Sequence, residues 1–382
     1  MGAVTPVGNS VSETWEALTA GKSGLKEISL FDTSTLRNSI GGEIRGYPQD
    51  SSRPRSLRFA ERAVEEALEN SSLLIRDRTG LSLGTNFGCA DCFSRYYAER
   101  TADFEKSAAA LRCYPFEWYT QNIQESFGMK GCCAAVSTAC ASGLAAIETG
   151  LQILEHTDAE TVVCAATDEL TLYSYAGLSA LRAITTETIR PFSGNRNGTQ
   201  FSEGAATVVI ESEEHARARG SEPLARIESI FLNNDAFHST APDTEARGIS
   251  AVMERVLERS GLSREKILYI NAHGTGTKYN DVIETKALKK TFGPHADNLY
   301  IDAVKSMTGH EMGAAGLIEL ISTVMTLRTG IIPPTVHYDE PDEECDLNYC
   351  TRGAVTADID VAMTNSYGIG GANGSVLLSA VR

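Results

Sequence analysis

Short β-branched runs alternate with amphipathic helical stretches along most of this chain, and that alternation limits its fold more than any other feature. Ala206-Thr-Val-Val-Ile210 and Thr161-Val-Val-Cys164 read as buried strands. Between Cys140 and the second of these, Leu144, Ile147, Leu151 and Leu154 recur at helical spacing. Another helix is predicted from near Arg247 through Val252, Val256 and Leu257 to Ser260-Gly261, where glycine ends it. A short strand, Ile267-Leu-Tyr-Ile270, then runs directly into Asn271-Ala-His273. The pattern predicts an α/β fold with largely buried sheets. At 382 residues the chain exceeds one simple core, so two packed halves are expected. The charged turn Glu213–Pro223 marks the junction, dividing the chain into 1–222 and 223–382 with a central cleft between.

Composition narrows the function classes. Hydrophobic residues make up 42% and charged residues 22%, which fits a globular chain and not a disordered one. Apolar stretches such as Gly316-Leu-Ile-Glu319-Leu-Ile-Ser322 are short and interrupted, so no membrane span is expected. The opening Met1-Gly-Ala-Val-Thr-Pro has neither the basic nor the apolar region of a signal peptide, and a cytoplasmic protein is the expectation. A net charge of −16 disfavours nucleic acid and anionic membranes as partners. The nine cysteines are odd in number and scattered, which argues against a disulfide framework. Cys89-Ala-Asp-Cys92 has the spacing of half a zinc site, but no second pair with matching spacing completes it, so no metal is expected. Most of the cysteines should be small buried hydrophobes.

Four segments carry reactive groups. In Val136-Ser-Thr-Ala-Cys140-Ala-Ser-Gly143, a cysteine among small residues stands where a helix begins; the helix dipole and free N–H groups there favour the thiolate. His273 leaves a strand and enters the polar loop Gly274-Thr-Gly-Thr277. Val304-Lys305-Ser-Met-Thr-Gly309-His310 reads as a strand end and a loop, with a helix starting near His310 whose small residues imply tight packing. Asn365-Ser-Tyr-Gly-Ile-Gly-Gly-Ala-Asn373-Gly-Ser375 can present backbone N–H groups to an oxyanion. A phosphate loop is the rival reading of this last segment, but the Gly-Lys-Ser/Thr ending is missing.

Together these segments resemble the β-ketoacyl synthase family of the thiolase-like superfamily, from Thr5-Pro-Val-Gly8 to Ser375. Arg190-Pro-Phe-Ser193, Phe201-Ser-Glu-Gly-Ala205 and Asp235-Ala-Phe-His-Ser-Thr-Ala241 belong to the same resemblance. The order of motifs matches the elongating Cys-His-His type. The resemblance implies two related α/β halves in a five-layered α-β-α-β-α core. It further implies decarboxylative condensation of an acyl group on Cys140 with malonyl-acyl carrier protein, with no metal or organic cofactor. The N–H groups of Cys140 and Ile369 would form the oxyanion hole, where one donor is commonly worth about 3–4 kcal/mol. His273 and His310 would donate hydrogen bonds to the malonyl thioester oxygen, and Lys305 would fix their arrangement. Asp281 and Glu284 would be supporting acids near Lys305. Thr275, Thr277, Tyr367 and Ile369 would line the pantetheine tunnel. Implied partners are acyl- and malonyl-loaded carrier protein and a second subunit, identical or ketosynthase-like. Because carrier proteins are acidic, a local basic patch is needed; Arg53, Arg55, Arg58 and Arg62 offer one, and equally fit a solvated helix face.

The match departs from the family in places. The strand that normally precedes Gly-Ala-Val-Thr-Pro is missing, which suggests a truncated start. Ile369 replaces a gating phenylalanine, Tyr367 replaces another, and Lys278-Tyr279-Asn280 stands where proline and glycine are common. These changes suggest a specialised polyketide or polyene synthase, with fatty acid elongation close behind. Two rival classes remain. A silent chain-length-factor partner would generally lack the nucleophile, and a cysteine hydrolase would leave Lys305 and a second histidine unexplained.

Overall fold

The computed structural model describes residues 1–48, 53–73, 77–92, 96 and 111–381. Two five-stranded sheets carry the molecule. The first is built from β1 (Gly2–Val4), β2 (Thr79–Gly84), β3 (Cys133–Val136), β4 (Thr161–Asp168) and β5 (Gly204–Glu211), in the order β1-β5-β4-β2-β3. Its β2, β3 and β4 run parallel, whereas β5 is antiparallel to both β4 and β1. The second sheet contains β6 (Arg226–Asn234), β7 (Ile267–Asn271), β8 (Tyr300–Asp302), β9 (Val361–Gly368) and β10 (Ala372–Ser379), in the order β8-β7-β9-β10-β6. The chain passes from the first sheet to the second through the short helix Glu213–Ala218, within the charged turn expected at the junction.

Helices fill the other layers. On the outer face of the first sheet lie α1 (Arg55–Ser71) and α2 (Phe116–Phe127). Between the sheets lies α3 (Ser142–His156). The outer face of the second sheet is covered by α4 (Arg247–Ser260), with α5 (Asn280–Phe292) beside it, and α6 (Ala315–Thr329) joins α3 in the middle. The result is the expected α-β-α-β-α stack. α6 is buried along most of its length, whereas α3 is buried through its first half and exposes Gln152, Glu155 and His156 at its end. They approach each other through glycines: a Cβ built on Gly143 would lie 2.7 Å from the Leu317 nitrogen and 3.2 Å from the Gly313 oxygen. Among the described residues, no helix is long and apolar enough to cross a membrane.

Several details differ from the sequence reading. Residues 2–4 form a short edge strand, Gly2, Ala3 and Val4 pairing with Thr207, Ala206 and Ala205. The helix expected near His310 begins at Ala315. Lys305–Thr308 makes one helical turn, and the positive φ values of Gly309 (78°) and Met312 (54°) interrupt any longer helix. The glycine-rich segment after Asn365 is a β-hairpin, with Gly368 paired to Ala372 across a turn at 369–371. The four arginines do not form a basic face. Arg55 is buried and ion-paired with Glu203, Arg53 pairs with Glu61, and Arg62 pairs with Glu65 at 2.9 Å, while Arg58 donates to the Pro48 carbonyl. Seven cysteines are buried, and Cys132 and Cys133 are exposed.

Candidate active site

Cys140 sits in the tight turn between β3 and α3. Ala139 takes φ 51°, an uncommon conformation for a side-chain-bearing residue, and this kink turns the chain into the helix. The turn is closed locally: Thr138 N donates to Ser142 Oγ at 2.9 Å, and Ser142 Oγ donates to the Ala139 carbonyl at 2.6 Å. The β9–β10 hairpin closes over it. Ser366 Oγ donates to the Cys140 carbonyl at 2.9 Å, and Gly368 lies so close that a Cβ there would come within 3.1 Å of Cys140 N. That approach brings the Ile369 N–H to the Cys140 sulfur. Ile369 itself is partly exposed, at 37%, while Cys140 is 5% exposed.

The helix start does not decide the state of this thiol. Burial pushes the Cys140 pKa up to about 11, against the pull of the Ile369 N–H and the charge of Lys305. Desolvation therefore outweighs the helix-end stabilisation that sequence position alone suggested.

His310 is gripped through its backbone. Its N–H donates to the Gln200 carbonyl at 2.8 Å, its carbonyl accepts from Ser202 N at 2.9 Å, and its ring stacks on Phe201 at 5.4 Å between centroids. Met312 N donates to His310 Nδ1 at 3.2 Å, so Nδ1 is an acceptor and the ring proton belongs on Nε2. That Nε2 lies 3.1 Å from Cys140 Sγ.

His273 is held from α5. Glu284 accepts from His273 N at 2.8 Å and from Gly274 N at 2.9 Å, and Asp281 accepts from Gly276 N at 3.1 Å and Phe192 N at 2.8 Å. Lys305 Nζ donates to the His273 carbonyl at 2.8 Å and lies 3.2 Å from its Nδ1. An ammonium can only donate, so His273 Nδ1 also accepts, and its proton likewise belongs on Nε2. The two imidazoles meet edge to face at 5.4 Å, and the Tyr367 ring lies 5.6 Å from that of His273 at a steep angle. Both histidines are held well below the usual imidazole range, by burial first and then by the Lys305 charge. They are neutral at physiological pH, with both Nε2–H groups available as donors.

Lys305 is fully buried and ion-paired with Glu319 of α6. Asp281 and Glu284 brace the backbone of the His273 loop, and Glu284 also feels the Lys305 charge. Glu319 is the acid the sequence reading missed, although a lone carboxylate inside the apolar run Gly316–Ser322 was a usable signal. Burial pushes its pKa up, and the paired Lys305 charge opposes that rise. A second overlooked acid is Asp168, which accepts from Thr85 Oγ1 (2.9 Å), Asn86 N (2.8 Å), Phe87 N (2.9 Å) and Gly313 N (2.7 Å). It ties the end of β2 to the loop that carries His310. Thr275 Oγ1 and Thr277 Oγ1 contact each other at 3.0 Å, and Thr277 Oγ1 accepts from Asn280 N, so these hydroxyls also shape the loop.

A buried thiol facing two neutral imidazole donors and a backbone N–H can accept an acyl group and can stabilise an enolate oxygen. Comparison with known proteins agrees with this chemistry. Residues 1–216 match the β-ketoacyl synthase N-terminal domain, and residues 224–339 match the C-terminal domain. The chain is 35% identical over 407 residues to the 3-oxoacyl-[acyl-carrier-protein] synthase 2 of Coxiella burnetii, covering all of this chain and 97% of that protein. It is 34% identical over 399 residues to the Synechocystis protein of the same description, covering 98% of this chain and 95% of that one. Among solved structures, the ishigamide ketosynthase/chain length factor superposes with a TM-score of 0.92 at 28% identity, covering 100% of this chain and 98% of that one. A type II PKS ketosynthase in complex with its acyl-carrier protein gives 0.92 at 25% identity, with the same coverage. A β-ketoacyl synthase from Burkholderia phymatum gives 0.91 at 29%, again with the same coverage.

Proposed function

We propose a decarboxylative condensation for this chain, which belongs to the β-ketoacyl synthase family. Cys140 takes an acyl group from an acyl carrier protein thioester. The S–H proton leaves with the carrier thiol, and an enzyme thioester forms. Malonyl-carrier protein follows. Its carboxylate departs as carbon dioxide, and the electron pair left behind is held as an enolate whose oxygen accepts from His273 Nε2 and His310 Nε2. The enolate carbon attacks the Cys140 thioester, whose tetrahedral oxygen is stabilised by the N–H groups of Cys140 and Ile369. The β-ketoacyl chain leaves on the carrier protein, and Cys140 sulfur recovers a proton.

The observation that carries this reading is the shared tautomer. Lys305 occupies Nδ1 of one histidine and Met312 N occupies Nδ1 of the other, leaving two Nε2 donors, of which His310 Nε2 lies 3.1 Å from the thiol and His273 meets the His310 ring edge to face. A hydrolase would need one imidazole as a base for Cys140, and His310 Nε2 already carries its proton. The intact thiol also favours a working synthase over a silent chain-length-factor partner. We assign catalysis to Cys140, His273, His310 and Lys305, backbone support to Asp281 and Glu284, and the approach to the thiol to Thr275, Thr277, Tyr367 and Ile369. The halves 1–222 and 223–382 are its two domains, and its partners are a carrier protein and a second ketosynthase-like subunit. Ile369 and Tyr367 at the hairpin favour acyl chains of specialised shape, with a cytoplasmic location.

Intact-mass analysis of the chain incubated with acyl-carrier proteins, beside Cys140→Ala, tests the reading. An acyl adduct confined to the parent, then two-carbon extension with carbon dioxide release on adding malonyl-carrier protein, is the expected result. An adduct that is hydrolysed without extension would replace the synthase with a hydrolase.

A further inference from the structure

Cys89, Cys92 and Cys113 converge at a point remote in role from the Cys140 chemistry. Their three sulfurs lie within 4.8 Å of one another. Cys113 Sγ approaches Cys89 Sγ to 3.1 Å, and all three side chains are buried, none more than 8% exposed. The spacing Cys89-Ala-Asp-Cys92 supplies two sulfurs from one turn, in which Cys92 N donates to the Cys89 carbonyl at 3.0 Å. Cys113, distant in sequence, supplies the third, which sequence spacing could not reveal.

The surroundings are apolar. Leu57 and Val64 of α1, Leu81 and Leu83 of β2, and Tyr119 and Ile123 of α2 pack with the three cysteines in one cluster. A single buried cysteine in such a place needs no explanation beyond packing, and Cys164 is an example. Three sulfurs around one centre are different. One disulfide uses only two of them, whereas a tetrahedral zinc with Zn–S bonds of about 2.3 Å holds three or four sulfurs about 3.8 Å apart, a separation that falls between the 3.1 Å of Cys89 and Cys113 and the 4.8 Å that bounds the group.

We propose that Cys89, Cys92 and Cys113 bind one Zn2+ ion as thiolates. Three S–H bonds release their protons to solvent as three S–Zn bonds form. Soft thiolates also suit Cu+, but three thiolates leave a net charge of −1 around Zn2+ and −2 around Cu+, and an apolar cluster favours the smaller charge. Among the described residues the group is these three cysteines. The ion would pin the segment after β2, whose Asn86 and Phe87 N–H groups Asp168 holds, to the chain just before α2.

The test uses the full chain bearing Cys132→Ser, Cys133→Ser and Cys140→Ala, which removes the exposed thiols and the reactive one. Elemental analysis after growth with zinc is expected to give about one zinc per chain. Adding Cys92→Ser or Cys113→Ser should lower that by tenfold or more. Because these variants could misfold, the parent chain is also stripped with chelator and titrated with Co2+, and a sulfur-to-cobalt charge-transfer band saturating at one equivalent is expected. Zinc content unaffected by the cysteine changes, or no cobalt band, would overturn the site. Stoichiometric copper in place of zinc would overturn the choice of ion. A peptide linking Cys89 to Cys113, with the chain 2 Da lighter, would replace the metal by a disulfide.

Discussion

At the scale of single residues, the buried charges around Lys305 govern the site. Lys305→Met leaves the Glu319 carboxyl without its cation, and breaking a buried pair of this kind costs about 3–5 kcal/mol. It also removes the donor that keeps His273 in its Nε2–H form, so malonyl decarboxylation is expected to fall by about 10²-fold or more. The double variant Lys305→Met/Glu319→Leu should regain most of the stability in urea melts and none of the decarboxylation. Recovery of carbon dioxide release in that double variant would disprove the tautomer argument. Glu311, next to His310, gives a second test. It is fully buried, and burial raises its pKa to about 7 against the opposing pull of the Thr308 hydroxyl and the Lys305 charge. Between the ordinary 4.5 and about 7, the folded chain holds a proton that the unfolded chain has lost. Stability from this group therefore declines as pH rises and the loss is complete above about 7. That displacement corresponds to about 3 kcal/mol. The stability gain of Glu311→Met, measured by denaturant melts, should be larger at pH 8 than at pH 4.5 by roughly that amount.

Among the elements, contact between the middle helices sets how well the thiol meets the histidines. Gly143→Ala would drive a methyl group to within 2.7 Å of the Leu317 nitrogen, and overpacking of this kind costs about 1–3 kcal/mol. Acylation of Cys140 should slow with it, because the displaced helix carries the cysteine turn. Gly177→Ala is the control: a Cβ there meets nothing within 4 Å in the helix Leu172–Ala180, and a gain of about 0.5–1 kcal/mol is expected. Melting curves and acylation rates of the two variants check both statements. Period and capping made α4 legible from Arg247 to the Gly261 stop, and β7 from Ile267, because those signals are local. The motifs likewise pointed to Cys140, His273, Lys305 and His310. What stayed hidden depends on contacts distant in sequence. The pairing of Lys305 with Glu319, the four donors on Asp168, and the burial that raises the Cys140 pKa have no period or spacing to announce them. The start of α6 was misplaced for a local reason, since the left-handed turns at Gly309 and at Met312, a residue type that rarely adopts them, do not show in composition.

For the whole molecule, the first sheet ends on an open edge. Strand β3 pairs with β2 alone among the described residues, and Cys133 is exposed on it. An unpaired edge of this kind is a template for another strand, and a second copy of the chain satisfies it symmetrically. Light scattering is expected to give twice the chain mass, and Ala135→Lys, a charge on that edge, should shift the protein towards the monomer. A parent that is already monomeric would remove the edge from the argument. One consequence of the layering remains. Cys140 introduces one middle helix and His310 precedes the other, while those helices come from opposite sides of the short helix Glu213–Ala218, where the chain passes from one sheet to the next. The reactive centre is thus a seam and belongs to neither half. A gene split at the junction would encode two pieces that are each chemically mute, and activity would return only when they found each other and closed the seam.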